Sequence, residues 1–273
     1  IGTGGIFSTA EELCKFAQIF MKNNTLLSAE SKQATFQKEY LRGQWLADEP
    51  NTVDYGLGWD SVNLNPFASY GIQAAVKGGD TLLMHSSLVV LPDYNMAAAV
   101  TSSGGTSLYA QLLATHLLNE RLIEKGVIKA QETATTPSLP VQTALDSSLK
   151  EYVGYYANYG GLYRVDLTDE GLLTYKNAYL EGNDQAVSLV YVGNGEFVDP
   201  TGNLTMYFLE QNGNVYLNVK GSSDLPGIGS IAENSYFAQK VEFKELSSDV
   251  AKAWAARENK GYLSILNKYT SQV

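Results

Sequence analysis

The stretch Lys77-Gly78-Gly79-Asp80-Thr81 decides the fold, because it stands at the head of an apolar run and between two strand-like segments. Apolar and β-branched residues over 74–77 and 86–91 predict buried strands on either side of it. Pro92-Asp93-Tyr94-Asn95 has the residue chemistry of a turn. Residues 96–101 predict a further strand, so an antiparallel hairpin is expected across that turn.

Helical patterns flank these strands. Ser8 and Glu11 have the spacing of a capping box and predict a helix over 9–22. Ser28 is expected to cap a shorter helix that ends near Gln37. Apolar periodicity over 107–125 predicts a long helix that Gly126 ends. The expected first domain is an α+β layer in which an antiparallel sheet is covered by the last helix, and Tyr55-Gly56-Leu57-Gly58-Trp59 is expected to add a strand.

The second half of the chain has a different rhythm. Residues 130–146, with Pro137 and Pro140, are typical of a linker. Short Tyr-, Val- and Leu-rich runs separated by Asn-Gly turns then predict a small antiparallel barrel or sandwich. The predicted organisation is a first domain over 1–129, a linker over 130–146, a barrel over 147–246, and a tail over 247–273. The tail is expected to hold a helix and a strand-like end at 262–266 and to be the start of a further module.

Composition limits the function classes. A net charge of −10 and a pI near 4.7 argue against nucleic-acid binding, because phosphates need a basic face. Cys14 is the single cysteine and fits a buried position on a helix. His85 and His116 are the only histidines and are far apart, so neither a metal nor a cofactor is expected. The first residue, Ile1, leads us to expect a processed or truncated chain whose signal or membrane anchor lies upstream.

The Lys-Gly-Gly segment could serve acyl-transfer chemistry. Lys77 offers positive charge for a substrate carboxylate or a proton relay, and Gly78 and Gly79 let an extended substrate lie against the strand. The backbone N–H of Asp80 could stabilise an oxyanion. On its own, the motif also fits a glycine bulge before a buried strand, with an exposed lysine.

Four ordered segments together resemble the C-terminal portion of the beta-lactamase-related serine hydrolases, which include class C beta-lactamases and penicillin-binding D-alanyl-D-alanine peptidases. They are Gly4–Leu13, Tyr55–Trp59, Lys77–Thr81 with His85-Ser86-Ser87, and Val90–Met96. The resemblance covers residues 1 to about 125 and implies a truncated penicillin-recognising fold. Lys77 and Gly79 match the outer positions of the family's third motif, whereas Gly78 stands where many members have a hydroxyl residue.

The resemblance implies a site made of two sets of residues. Lys77, Gly79 and Asp80 would be catalytic. The substrate-binding set would be Gly78, Thr81, Tyr55 and Trp59, although aromatic residues at strand spacing are usually core. The strings Ser147-Ser148-Leu149-Lys150 and Tyr156-Ala157-Asn158 match the family's other motifs only by chance, since they follow Lys77 and lie at the entry to the β-rich domain.

The function implied is that of a fragment of a cell-envelope serine hydrolase whose nucleophile is absent from this chain, so that the chain alone is inactive. Its substrates would be D-alanyl peptides, beta-lactams or esters. The alternative is a non-catalytic module that binds cell-wall peptide or regulates a partner. The implied location is extracellular or on a bacterial cell surface. A missing N-terminal half or a second copy of the chain is expected to cover an exposed sheet edge near Lys77.

A second, looser resemblance concerns the barrel. Tyr152–Tyr156, Tyr163–Leu167 and Leu172–Tyr175 resemble the lipocalin-like barrel that follows the catalytic domain in some of these hydrolases. Such barrels can enclose a small ligand, but an interior filled by side chains is the default expectation.

Overall fold

The computed structural model describes residues 5–39, 54–129, 138–179, 186–225 and 229–261. The chain divides into two compact units, Ile1–Lys240 and Val241–Val273. The second unit contains one helix among its described residues, α4 (Ser248–Ala255). The predicted helix in the tail is therefore confirmed, whereas the predicted strand at 262–266 lies outside the described residues.

The N-terminal helix is shorter than predicted and starts one residue later. Helix α1 spans Ala10–Ala17 and continues as one 3-10 turn, Gln18–Phe20. Thr9 is the N-cap, with its hydroxyl accepting from Glu12 N while the Glu12 carboxylate accepts from Thr9 N. The predicted capping box of Ser8 and Glu11 is thus wrong by one position, because the adjacent Thr-Glu pair has the same spacing. Helix α2 (Ala29–Thr35) begins after Ser28, as predicted.

Three antiparallel strands form an open sheet in the order β1 (Ala75–Asp80), β2 (Met84–Leu91) and β3 (Met96–Ser103). A short 3-10 turn at Pro92–Tyr94 and a left-handed Asn95 join β2 to β3, so the predicted hairpin is confirmed. Strand β1 runs three residues further than predicted and contains the whole Lys-Gly-Gly-Asp segment. The sheet therefore carries that segment on a strand.

The two faces of the sheet pack against different helices. Helix α3 (Ser107–Glu124) covers one face, where Val76, Val89 and Leu91 cluster with its apolar side chains. The other face packs against the α1 segment, with Ala75 and Leu88 in the same cluster as Ala17 and Phe20. Alternation of side chains along each strand produces this division. The predicted covering of the sheet by the long helix is confirmed.

The segment predicted to be a strand at 55–59 is a tight turn instead. Gly56 and Trp59 form an isolated bridge, and Gly58 has a φ of 83°, which breaks an extended run. Asp60 and Ser61 then pair with Val76 of β1 through backbone hydrogen bonds. This turn consequently lies against the first residues of the outer edge of the sheet.

Eight further strands close into an antiparallel barrel in which neighbours follow each other along the chain and β11 lies beside β4. They are β4 (Gly154–Asn158), β5 (Gly161–Leu167), β6 (Leu172–Asn177), β7 (Val187–Gly193), β8 (Glu196–Val198), β9 (Leu204–Gln211), β10 (Asn214–Leu225) and β11 (Gly229–Val241). Asn194 and Asn212 adopt positive φ at two hairpin turns, as the Asn-Gly pairs predict.

The barrel interior is filled by side chains. Tyr156, Phe197 and Leu217 are fully buried members of one apolar cluster. Burial raises the pKa of the Tyr156 hydroxyl, which donates to the Tyr152 carbonyl at 2.7 Å. Leu149, from the chance Ser-x-x-Lys string, packs against the same cluster, and Lys150 pairs with Asp169. These contacts give the stretch a packing role in the barrel.

The fold class is α+β with an antiparallel sheet, a closed eight-stranded barrel and few helices among the described residues. The predicted domain boundaries at 129, 146 and 246 stay predictions.

Candidate functional site

The outer edge of β1 presents main-chain groups to its surroundings. Val76 bonds outward to Ser61, and Thr81 N bonds inward to Met84 O at the hairpin end. Inward and outward groups alternate along an antiparallel strand. The N–H and C=O of Gly78 and Asp80 therefore face outward. The lysine and the two glycines predicted as site residues lie on this edge strand.

Lys77 is held by a carboxylate that the sequence analysis did not identify. Its Nζ lies 3.0 Å from Asp60 Oδ1 and 3.1 Å from Asp60 Oδ2. Asp60 Oδ2 also accepts a hydrogen bond from the Gly78 N–H at 2.7 Å, and Lys77 Nζ donates to the Gly78 carbonyl at 2.5 Å. Asp60 is brought here by the bond from its own N–H to the Val76 carbonyl. An ammonium group and a strand-edge N–H thus bind one carboxylate together.

Asp80 joins the end of β1 to the start of helix α3. Its carboxylate accepts hydrogen bonds from Ser107 N (2.7 Å) and Ser107 Oγ (2.6 Å). The hydrogen bond from the Ser107 hydroxyl, aided by His85, holds the pKa of the Asp80 carboxyl below its ordinary value against the opposing effect of burial. An anion at a helix N-terminus is stabilised by the unpaired N–H groups there. Asp80 is therefore a capping residue for α3.

His85 completes this arrangement from the neighbouring strand. It stands directly opposite Asp80 in the β1–β2 register. Its Nδ1 lies 2.6 Å from Asp80 Oδ1, and because a carboxylate accepts, the ring N–H donates. The imidazole itself is buried. His85 fixes the orientation of the Asp80 carboxylate.

Helix α3 approaches Gly78 closely. A Cβ at this position would lie 3.0 Å from Ser107 Oγ and 3.4 Å from Asp60 Oδ2. The hydroxyl of Ser107 thus occupies space next to the position that a side chain at residue 78 would need. A Cβ at Gly79 would meet Ser86 Oγ at 3.1 Å. These distances show that Lys77, Asp60, Gly78, Ser107, Asp80 and His85 form one connected network, which we call the β1-edge site.

The other predicted site residues lie elsewhere in the local structure. Thr81 uses its hydroxyl to close the hairpin, donating to the Met84 carbonyl and accepting from the Met84 N–H, each at 3.0 Å. Tyr55 is exposed in the turn before Asp60. Trp59 is only 5% exposed and stacks on Phe36 in the core cluster beside α1. The structure therefore places the Trp59 indole in the core.

Asp60, Ser107 and the pairing of His85 with Asp80 were missed from the sequence. The hairpin register could have revealed the last of these, since a turn centred on Leu82 and Leu83 sets His85 opposite Asp80. Asp60 and Ser107 lie 18 and 27 positions from their partners and have no local signature.

The described residues offer neither a metal-binding cluster nor a membrane-spanning helix. Within the ranges that the structure describes, no group of three or more His, Cys, Asp or Glu side chains could hold a metal ion. Across the same ranges, no helix is long and apolar enough to cross a membrane.

Comparison with known proteins identifies structural neighbours only. No protein-family model matches the chain, and no curated protein sequence matches it. A crystal structure of SurE aligns with a TM-score of 0.50 at 18% identity, over 82% of this chain and 48% of that one. A crystal structure of SurE with D-Leu aligns equally well, over 82% and 50%. At these identities the likeness shows the fold alone, and this chain spans about half the length of the structures it matches.

A penicillin-binding protein homologue from Pyrococcus abyssi, an octamer, aligns at 15% identity with a TM-score of 0.33, over 80% of this chain and 44% of that one. A TM-score this low does not establish a shared fold. The predicted membership of the beta-lactamase-related serine hydrolases is therefore wrong, because the better-aligned structures are those of SurE. The predicted function as a fragment of such a hydrolase is wrong for the same reason, and the alternative of a cell-wall peptide module has no support.

The structure explains why four ordered matches misled. The capping residues at Thr9 and Glu12, the turn at Gly58 and the left-handed Asn95 serve local backbone geometry that many α+β layers need. Gly78 is set by its contact with Ser107. Short motifs of this kind report turns and close contacts, and they do not distinguish one family from another. The predicted partners and the predicted location at a bacterial surface stay predictions.

Proposed function

We propose that the β1-edge site binds the carboxylate group of a small ligand of the amino-acid class. The observation that carries the proposal is the way Lys77 and the Gly78 N–H hold the Asp60 carboxylate, with contacts of 3.0, 3.1 and 2.7 Å. These donors have the geometry that a carboxylate requires, since charge-assisted hydrogen bonds of this length are strong. The Lys77 side chain is 51% exposed, so the site is accessible from solution.

The strand edge supports the proposal with further donors. Ladder alternation directs the Asp80 N–H outward on the same side as that of Gly78. Two consecutive glycines add no side chains of their own to this part of the backbone, which allows close approach by a ligand. An extended molecule lying along residues 78–80 would therefore meet main-chain groups as well as Lys77.

An apolar surface adjoins the polar site. Leu82, Leu83 and Met84 form the hairpin tip directly after the site and are largely exposed, Leu82 by 98%. Tyr109 is exposed on α3, and its ring lies near Gly105. The N–H of the adjacent Gly104 donates to the Leu83 carbonyl, which brings this end of α3 to the hairpin tip. Exposed apolar groups beside polar ones are typical of ligand sites. This surface suits the side chain of an apolar amino acid.

The crystal structure of SurE with D-Leu supports the choice of ligand class. It makes D-leucine the first compound to test, with L-leucine and N-acetyl-D-leucine beside it. The proposal concerns recognition and contains no bond-making step.

The test is titration of the protein with D-leucine, in which amide chemical shifts and calorimetry measure the binding. We expect binding to perturb the Gly78 and Asp80 amides. Lys77→Met should weaken binding about tenfold or more, because it removes a charged hydrogen-bond donor. Lys22→Met is the matched control, since Lys22 is also an exposed lysine facing an aspartate, Asp93, at 3.9 Å. Binding that persists in Lys77→Met, or no binding of any of the three compounds, contradicts the proposal.

For the barrel, we propose the lipocalin-like class on architecture alone. Eight antiparallel strands in consecutive order are typical of lipocalins.

A further inference from the structure

The Asp60 carboxylate occupies the place where a ligand carboxylate would bind. Both of its oxygens contact the Lys77 ammonium, and Oδ2 also takes the Gly78 N–H. A ligand that uses the same donors cannot share them fully with Asp60. We propose that Asp60 is an internal competitor of the ligand, which must be displaced for full binding. This inference rests on the proposed function of the β1-edge site.

The local structure allows the displacement. Asp60 is 37% exposed and follows the turn at Gly58, and its backbone is anchored to Val76 independently of its side chain. Exposed ion pairs of this kind are weak, because water screens them and two side chains lose freedom. Rotation of the Asp60 side chain would therefore free Lys77 and the Gly78 N–H without moving the strand.

The contacts of the two carboxylates in the site determine which of them a ligand would displace. The β1-edge site contains two carboxylates: Asp60 contacts the Lys77 ammonium, and Asp80 contacts Ser107 and His85. Asp80 is committed to Ser107 and His85, so it cannot leave without uncapping α3. Asp60 is the carboxylate that can move. As long as it remains in place, the charge of Lys77 is already neutralised, and an incoming anion gains little.

The experiment measures N-acetyl-D-leucine, which carries a carboxylate but no ammonium group, against the full chain and two variants. Asp60→Asn keeps the side-chain shape and removes the charge. Asp60→Ala removes the competing group altogether. We expect both to bind the compound about fivefold more tightly than the parent chain, the factor associated with losing one exposed ion pair. Asp93→Asn, which removes the charge opposite Lys22, should leave the affinity unchanged.

A second measurement uses the parent chain and needs no variant to fold. The carboxyl carbon resonance of Asp60 should shift at saturation with the ligand, together with the Gly78 amide. If binding depends on Lys77 but the Asp60 carbon does not respond, the inference is overturned and the proposed function stands.

The remaining outcomes are also distinct. Tighter binding by both Asp60 variants, with a Lys77-dependent signal, supports the inference. Equal or weaker binding by folded Asp60 variants overturns it. If neither the parent nor the variants bind any of the compounds, the proposed function fails, and the inference fails with it.

Discussion

The open sheet and the closed barrel differ in what their strand edges leave unpaired. In the sheet, β1 has a neighbour on one side, and its outer edge is met by the turn at Asp60 and by the cap of α3. In the barrel, every strand has two neighbours. Charged groups consequently gather at the sheet edge, whereas aliphatic and aromatic side chains fill the barrel interior. The comparison teaches that an unpaired strand edge collects polar and charged partners, whereas a closed barrel leaves no such edge.

The largest expected effect on stability comes from disrupting the packed interior of the barrel. Phe197 is fully buried, with its ring 5.2 Å from Tyr191 and 6.0 Å from Phe208. Phe197→Ala should lower the free energy of unfolding by about 3–5 kcal/mol, because it leaves a cavity in a packed interior. Urea denaturation followed by circular dichroism measures this. Tyr159→Ala removes a fully exposed ring of the same barrel and should change stability by less than about 0.5 kcal/mol. Similar values for the two would mean that the interior is loosely packed.

A glycine in each region sharpens the comparison. A Cβ at Gly221 of β10 would lie 2.4 Å from the Asn203 carbonyl oxygen, which is main chain and cannot move aside easily. Gly221→Ala should therefore cost about 1–3 kcal/mol through overpacking. At Gly79 the nearest atom is a serine hydroxyl at 3.1 Å, which can rotate. Thermal unfolding of both alanine variants should rank Gly221→Ala as clearly the more damaging, and the opposite ranking would contradict the contacts described.

A smaller effect is expected at the capped helix of the sheet region. Asp80→Asn weakens the hydrogen bonds to Ser107 and His85 and should lower stability by about 1 kcal/mol, the usual value for a helix cap. Thermal unfolding at neutral pH measures it, with Asp93→Asn as the control because Asp93 faces the exposed Lys22 at 3.9 Å. Equal stability of the parent and Asp80→Asn would show that α3 does not depend on this cap.

The smallest expected effect is the pH dependence of the difference in stability between the parent chain and Asp80→Asn. The folded-state pKa of Asp80 lies below its ordinary value of 3.8, chiefly because Ser107 donates to the ionised form. Its contribution to stability is therefore present in full above about pH 4 and is lost as the pH falls through the lower, folded-state pKa. The gap between the parent chain and Asp80→Asn should be constant from pH 7 to 5 and close in acid. A gap that widens on acidification would have the wrong sign for a depressed pKa.

Local patterns in the sequence predicted most of the fold. Helix α3 ends before Gly126, the hairpin turns at Asn95, and the barrel hairpins turn at Asn194 and Asn212, as expected from residue chemistry. The misplaced cap at Thr9 shows the limit of such patterns, because adjacent hydroxyl residues share the same spacing. Periodicity and turn chemistry are encoded within a few residues and can be read without the fold.

The site was only half predictable. Lys77, the glycines and Asp80 follow one another along the chain, so a single segment revealed them. Their partners Asp60 and Ser107 approach from different elements, through the pairing of Asp60 with Val76 and the packing of α3 on the sheet. Such contacts depend on tertiary structure, which no local pattern contains. The same limit explains why the motif order suggested the wrong family.

Closure of the barrel also imposes an order of events on synthesis. Strand β4 is made early, yet its partner β11 begins at Gly229, and the bond from the Asn158 amide to the Phe237 carbonyl spans 79 positions. Until the ribosome has released that stretch, β4 has an open side that other chains can pair with. Contacts so distant in sequence slow folding. Strands β4 and β11, the first and last of the barrel, are therefore the strands most exposed to aggregation in the nascent chain.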